Sequence, residues 1–377
     1  MRPRPRRGSG GHPRSEGSGG VARAAWRGLS GWAAIGGLAV LLGACARAGN
    51  GALPQNALDP AGPIARAQDH LWNIVFPVAV AVFIFVQGLI IVAVVKFKDR
   101  GESQPPKQVH GNTRLELVWT IIPTLILVGI AVPTVSTIFQ LSGPAAPDAL
   151  KVRVIGKQYW WQFEYLNAET PKPIRTAGEL HIPTGREVFI ELDGQSKDDG
   201  ADVIHSFWVP RLAGKQDYVP GHMRTMRIQA DNPGTYPGQC AEFCGLSHAD
   251  MRFTVIAHTA AEFDRWLANQ SRPAAQPTAP LARQGMELMA GQGCLGCHTI
   301  EGHPQNADAR AGPSLTHFAA QAKFAGYTYP RTDKNLEEWI SDPQALKMGA
   351  QMPDWGGGSP LSQQQLDALV AYLQSLR

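Results

Sequence analysis

The stretch Cys240-Ala241-Glu242-Phe243-Cys244-Gly245-Leu246-Ser247-His248-Ala249-Asp250-Met251 packs two thiols, an imidazole, a thioether and carboxylates into one loop-sized segment. Thiolate and thioether are soft donors and imidazole is borderline, a set that selects copper over magnesium, calcium or manganese. A mononuclear site of the blue-copper kind takes one cysteine, two histidines and a weak methionine. A second cysteine so close by offers two thiolates, enough to bridge two metal ions. The second histidine must then come from elsewhere, and His205 in Val203-Ile204-His205-Ser206-Phe207-Trp208 is the best candidate. The plainer readings are a disulfide or a zinc site. Zinc favours closed sets of cysteine and histidine, so Met251 counts against it. A disulfide would leave His205, His248 and Met251 without a role.

A second constellation follows at Cys294-Leu295-Gly296-Cys297-His298, a Cys-x-x-Cys-His haem-attachment motif. Its thiols can form thioethers to the haem vinyls, and His298 is placed as the proximal iron ligand. Alone, the motif could also be a redox dithiol. Downstream lie Gly312-Pro313-Ser314-Leu315 and Ala350-Gln351-Met352-Pro353, in the order seen in small class I cytochromes c, which this whole region resembles. A methionine opposite the histidine raises the haem potential, as an electron relay requires. Met352 is the distal candidate, with Met348 as the alternative; the Met-Pro pair favours Met352.

At the copper loop the chain closely resembles subunit II of haem-copper cytochrome c oxidases, and the resemblance runs from about Leu71 to Arg377. It implies a dinuclear CuA centre bridged by Cys240 and Cys244, with His205 and His248 as terminal ligands, a weak Met251 and the backbone carbonyl of Glu242. It also implies that the Glu242 carboxylate helps hold magnesium at the contact with subunit I; an oxygen donor suits that hard ion. The run Tyr159-Trp160-Trp161-Gln162-Phe163 resembles the family's aromatic patch beside the copper, where a tryptophan receives electrons from docked cytochrome c. Here Tyr159 holds the usual tryptophan position after Gln158, so Tyr159 and Trp160 are the candidate acceptors, while core packing must account for some of these rings. Glu116, in Glu116-Leu117-Val118-Trp119-Thr120-Ile121-Ile122-Pro123, matches the family's second-helix signature, which implies the mouth of a proton-uptake path into subunit I. From physics alone it reads as an interfacial carboxylate beside an aromatic belt anchor.

These residues need elements to hold them. The chain of 377 residues has room for several domains, and a net charge of +4 with no basic, aromatic-interleaved patch argues against nucleic acid. Residues 1–45 read as a secretory signal: a basic leader, an apolar run from Ala33 to Leu42, then small residues. Leu42-Gly43-Ala44-Cys45 resembles a bacterial lipobox that would lipidate Cys45; cleavage among the nearby alanines is the alternative. After a short outer segment at 46–70, Leu71–Val95 and Leu117–Leu141 are each long enough to cross roughly 30 Å of hydrocarbon, giving a two-helix transmembrane hairpin over 71–141. The loop between them carries Lys96, Lys98, Arg100, Lys107 and Arg114 against Asp99, Glu102 and Glu116, so it is expected on the cytoplasmic side. Everything after Leu141 then faces the periplasm.

From 150 to 262 short alternating runs such as Lys151–Val154, Arg186–Leu192 and Arg252–Ile256, parted by Gly, Pro and Asn turns, predict an antiparallel sandwich. The resemblance makes it cupredoxin-like. Residues 263–280 read as a linker, with a proline-rich, semi-rigid stretch from Asn269 to Pro280. Residues 281–377 carry helical periodicity, with Leu366, Leu369, Val370, Leu373 and Leu376 on one face, and resemble an all-α cytochrome c domain.

The expectation is a multidomain subunit II of a proton-pumping terminal oxidase in a bacterial inner membrane. Electrons would pass from cytochrome c or another external donor through haem c and CuA to subunit I, where dioxygen is reduced to water. Subunit I, further oxidase subunits and membrane lipid are its implied partners, and this chain holds no dioxygen site. The rivals are a membrane-tethered electron carrier or copper-delivery protein, a nitrous or nitric oxide reductase component, and a quinol oxidase subunit, which needs no copper loop.

Overall fold

The computed structural model describes residues 53–98, 108, 110–166, 173–196, 201–355 and 361–377. The signal segment at 1–45, Cys45 and most of the basic loop lie outside the described residues.

Two long helices open the described chain, α1 (Pro63–Lys96) and α2 (Thr113–Leu141). Both start before the apolar runs that announce them. Pro63 occupies the first helical turn, where its missing N–H costs nothing, and Asn112 caps α2 by accepting from Leu115 N at 3.2 Å. Pro77, Pro123 and Pro133 sit inside these helices. Their apolar side chains, including Phe83, Ile84, Leu125 and Phe139, stay exposed. Hydrocarbon tolerates that surface, and a helix satisfies its own backbone there.

The sandwich-side ends of the pair are tied down. Ala61 N donates to Arg211 O at 2.8 Å, Asp231 N donates to Ala61 O at 3.0 Å, and Arg227 Nε donates to Leu141 O at 3.2 Å. Glu116 lies at the opposite end, in the first turn of α2, where its Oε1 accepts from Asn112 N at 3.1 Å.

Ten strands follow: β1 (Leu150–Lys157), β2 (Trp160–Tyr165), β3 (Ile174–Ala177), β4 (Glu179–Pro183), β5 (Val188–Asp193), β6 (His205–Trp208), β7 (Gln216–Tyr218), β8 (Met223–Ile228), β9 (Gly234–Cys240) and β10 (Arg252–His258). They form two five-stranded sheets, ordered β3-β2-β1-β5-β8 and β4-β10-β9-β6-β7. Most pairs are antiparallel as the turn signals predict, but β1 with β5 and β4 with β10 run parallel. Those partners are far apart in sequence, and only a long connection allows parallel pairing. Val188, Ile190 and Leu192 alternate into the core from β5. Between the sheets Trp161, Phe163, Phe207 and Phe253 meet mostly edge to face, with Trp161 and Phe207 at 5.5 Å and 89°. Each such pair adds about 1 kcal/mol beyond its buried area.

β2 breaks the alternation, because Gln162 and Glu164 on its other face are buried as well. The C-terminal domain covers that face. Lys157, also buried, donates to Arg310 O, Arg310 lies 3.8 Å from Glu164, and Arg175 pairs with Asp308.

The helix α3 (Ala260–Gln270) starts at a reciprocal cap between Thr259 and Glu262 and buries Phe263 in the sandwich core. It therefore runs across the boundary expected between the sandwich at 262 and the linker at 263. The chain beyond it rests on the next domain: His317 Nε2 bonds Arg272 O at 2.9 Å, and Ala274 N donates to Glu301 O at 2.7 Å.

The C-terminal domain holds α4 (Pro280–Gly291), α5 (Asp333–Ser341), the short α6 (Pro343–Leu346) and α7 (Gln363–Ser375). Leu366, Leu369, Val370 and Leu373 are buried on α7, and Leu376 just past its end, on the face their period predicts. The domain is helical, as its periodicity and the resemblance imply, and β11 (Lys323–Phe324) and β12 (Tyr329–Pro330) add one small hairpin between α4 and α5. Its turn puts Ala325, Gly326 and Tyr327 at φ of 53°, 70° and 61°, a left-handed run that side-chain-bearing residues rarely adopt.

Candidate metal and haem sites

β9 ends on Cys240, and β6 starts on His205, one strand over in the same sheet. The loop from Ala241 then doubles back to Met251 at the head of β10, closed by Cys240 N donating to Met251 O at 2.9 Å. This brings the sequence-predicted donors together. Cys240 Sγ lies 3.9 Å from Cys244 Sγ, 3.8 Å from His205 Nδ1 and 3.2 Å from Glu242 O. Cys244 Sγ lies 3.6 Å from His248 Nδ1 and 3.8 Å from Met251 Sδ.

The sulfurs are far beyond the disulfide bond length of about 2.05 Å. Donors spaced this way fit ligands each about 2.0–2.3 Å from a shared ion. His205, Cys240, Cys244 and Met251 are all buried, so a metal there would be shielded from water. The hydrogen bond between the two thiols holds Cys240 well below the ordinary thiol range and pushes Cys244 above it. Metal binding requires deprotonated sulfurs, so it would release protons from this pair.

The haem motif sits on a 3-10 turn at Cys294–Gly296, directly after α4. His298 Nδ1 bonds Pro313 O at 2.8 Å, which orients the ring and leaves Nε2 for a ligand. Gly312 is required beside it, since a Cβ there would stand 2.7 Å from His298 Cε1. Burial pushes the imidazole pKa down, favouring the neutral, ligating form. Cys294, Cys297, His298 and Met352 line one largely apolar cavity. Met348 is exposed instead, and its carbonyl accepts from Ser247 Oγ at 2.6 Å. The residues present therefore fit a haem, which Cys294 and Cys297 could hold by thioethers and His298 and Met352 could ligate.

The same cavity is walled from the sandwich side by Gln158, Tyr159 and Trp160. Gln158 and Tyr159 form the tip of the β1–β2 hairpin, between the paired Lys157 and Trp160. Tyr159 is buried under the C-terminal domain, and its hydroxyl accepts from Leu246 N at 3.0 Å. Gln158 Nε2 donates to Cys244 O at 2.7 Å. One hairpin tip therefore touches both the haem cavity and the backbone of the thiol loop.

Sequence reasoning missed Gln158 and Lys347. Lys347 is buried, and its Nζ donates to Tyr159 O, Ala325 O and Asp250 O at 2.7, 2.8 and 2.9 Å. Burial pulls its pKa down to about 7, opposed by Asp250 and Cys244. Three carbonyls, one for each ammonium proton, also favour the charged form. Nothing in Ala345-Leu346-Lys347-Met348 marks this lysine in the sequence. Glu242 is half-buried in the loop, and Glu116 stands apart from both sites at the far end of the helical hairpin.

Three family models match in order: cytochrome c oxidase subunit II, transmembrane domain, over residues 53–137; the periplasmic domain of the same subunit over 150–258; and cytochrome c over 282–377. The chain is 41% identical over 329 residues to cytochrome c oxidase subunit 2 of Alkalihalophilus pseudofirmus, covering 85% of this chain and 90% of that protein. It is 34% identical over 339 residues to cytochrome c oxidase subunit 2 of Bacillus subtilis, covering 85% of this chain and 92% of that protein. A solved structure of the periplasmic domain of subunit II of cytochrome oxidase from Bradyrhizobium japonicum is 25% identical and covers 34% of this chain and 96% of its own, with a TM-score of 0.29.

Proposed function

The chain belongs to the subunit II family of haem-copper cytochrome c oxidases, with a cytochrome c domain fused at its C-terminus, and from that premise we propose that it relays electrons between its two redox domains. When bound, haem c and dinuclear CuA supply the one-electron chemistry, taking electrons from an external donor and delivering them to subunit I for reduction of dioxygen to water. Cys240, Cys244, His205, His248, Met251 and the Glu242 carbonyl would hold the copper, the two thiolates being shared between its ions. Cys294 and Cys297 would hold the haem covalently, and His298 and Met352 would supply its iron ligands. The observation that carries this reading is the hairpin tip at Gln158–Tyr159, which walls the haem cavity and bonds the thiol loop from the same two residues. The Glu242 carboxylate would contribute an oxygen ligand to magnesium at the contact with subunit I. Because the basic loop between α1 and α2 lies cytoplasmic by its charge, both redox domains work on the periplasmic face of a bacterial inner membrane.

Met352→Ala tests the haem half of the reading. The haem should stay attached through its thioethers, but its potential should fall, because methionine opposite histidine raises it. A redox titration of the purified complex reads this directly, and an unchanged potential would move the distal role away from Met352.

Glu116 feeds protons toward subunit I, in the proton-pumping form of the oxidase. Glu116→Ala should slow steady-state oxygen consumption while reduction of haem c and copper stays fast. Equal turnover would leave Glu116 with the capping contact to Asn112 alone.

A further inference from the structure

Where the two redox domains meet the thiol loop, a single ammonium joins three backbone strands of different origin. Lys347 Nζ reaches Tyr159 O on the β1–β2 tip, Asp250 O on the thiol loop and Ala325 O in the β11–β12 turn. The residue is 3% exposed. A buried charge is tolerated only when its hydrogen-bonding capacity is met, and a lysine has three donors and no acceptor. Three carbonyls meet that capacity in full, two from the sandwich and one from the haem domain that supplies the lysine.

The surrounding contacts converge on the same seam. Arg252 N donates to Gly326 O at 3.0 Å, Thr328 Oγ1 to Asp250 O at 2.9 Å, and Ser247 Oγ to Met348 O at 2.6 Å. Gly326 permits the closure: a Cβ there would stand 2.4 Å from Lys347 Nζ and 2.5 Å from Tyr159 O. The left-handed turn from Ala325 to Tyr327 is the kind of costly backbone that persists only where its surroundings hold it. Other cross-domain ties, at Lys157, Glu164, Arg175 and Glu179, involve strands β1 to β4 rather than the thiol loop. Lys347 also lies on the segment that leads into Met352, so fixing the lysine fixes the distal side of the haem cavity against the loop from Cys240 to Met251.

We propose that Lys347 is the pin that docks the haem domain on the copper loop, a positioning residue for the electron step between them. The pin rests on the reading that the haem domain is the donor to copper. It turns the fused domain from a tethered carrier, which would search for its partner, into a fixed relay. Removing the ammonium takes the donor from Tyr159 O and Ala325 O in a closed interface, where unpaired acceptors are costly, while Asp250 O keeps Thr328 Oγ1. The docked population should then fall, although neither cofactor has lost a ligand.

The test is made on the intact oxidase complex by stopped-flow reduction with a soluble donor, following haem c and the copper centre separately. In Lys347→Met, reduction of haem c should keep its native rate, and the haem and copper spectra should be unchanged. Transfer from haem c to copper should slow by about ten-fold or more, the loss expected when one or more charge-assisted bonds leave the docked state. A transfer rate within about two-fold of native in that variant overturns the pin. If Lys347→Met does not assemble, the native complex still decides. A pinned domain transfers at a rate independent of solvent viscosity, so a rate that falls as glycerol is added overturns the proposal. Copper reduced ahead of haem c in the native complex overturns the donor reading itself, and with it the role given to Lys347. The order haem then copper with an unaltered Lys347→Met rate sinks the pin alone.

Discussion

Replacing Cys240 or Cys244 by serine is expected to abolish the mixed-valence copper signal and to reduce oxidase turnover to background, with haem c still attached and reducible. Each thiol faces its own pair of donors and the other thiol. Cys240 Sγ faces His205 and Glu242 O, Cys244 Sγ faces His248 and Met251, and the two sulfurs face each other. Serine puts a hard, poorly acidic oxygen where a soft thiolate is required, so either exchange breaks the bridge and not just one arm. Met251→Leu should be far milder, shifting the copper potential and weakening metal retention, because a long axial thioether tunes such a site rather than building it. Electron paramagnetic resonance with a copper inventory on the purified complex reads both. A single-copper spectrum in the unaltered protein would contradict the dinuclear assignment.

Ending the chain after Ser271, which keeps α3 whole, is expected to leave the copper centre intact and to slow oxidation of soluble cytochrome c by about a hundred-fold. Tethering gives a fused partner a millimolar effective concentration and avidity gains on the order of 10² to 10⁴, and this domain is docked as well as tethered. The soluble donor would then have to find Tyr159 unaided, at a surface shaped to meet another domain. The face left behind is polar: Lys157, Gln162 and Glu164 are buried under the haem domain and would become exposed, so the shortened sandwich should stay soluble. A truncated complex that accepts electrons as fast as the full one would make the haem domain an accessory.

The metal loop and the haem motif were legible because their chemistry demands particular residue types at short spacing. Cys240, Cys244, His248 and Met251 lie within one loop, and Cys294, Cys297 and His298 within one turn. His205 comes from a separate strand, and it could be picked out only because the loop lacked a second histidine. The two spans were visible by length and hydropathy, while their first turns were not, since the Asn112 cap and the start at Pro63 depend on local backbone rather than on apolar period. β5 was visible by alternation. β2 was obscured because the haem domain buries its second face, a long-range contact that erases the period of two. The seam between the domains was invisible for the same reason. Lys347, Gly326 and Gln158 act through backbone carbonyls and amides supplied from distant parts of the chain, and no residue pattern encodes such partners. Tyr159, where the family usually has tryptophan, is legible in the sequence. Its setting, between the haem cavity and the amide of Leu246, required the fold.

The central claim is that electrons reach copper through the fused haem domain across the seam at Tyr159. Stopped-flow reduction of the full-length complex by a soluble donor, with haem c and copper followed in the same shot, tests it most directly. The account predicts that haem c is reduced first and that copper follows at a rate independent of donor concentration. Copper reduced before haem c, or at a rate that climbs with donor concentration while haem c lags, would contradict it.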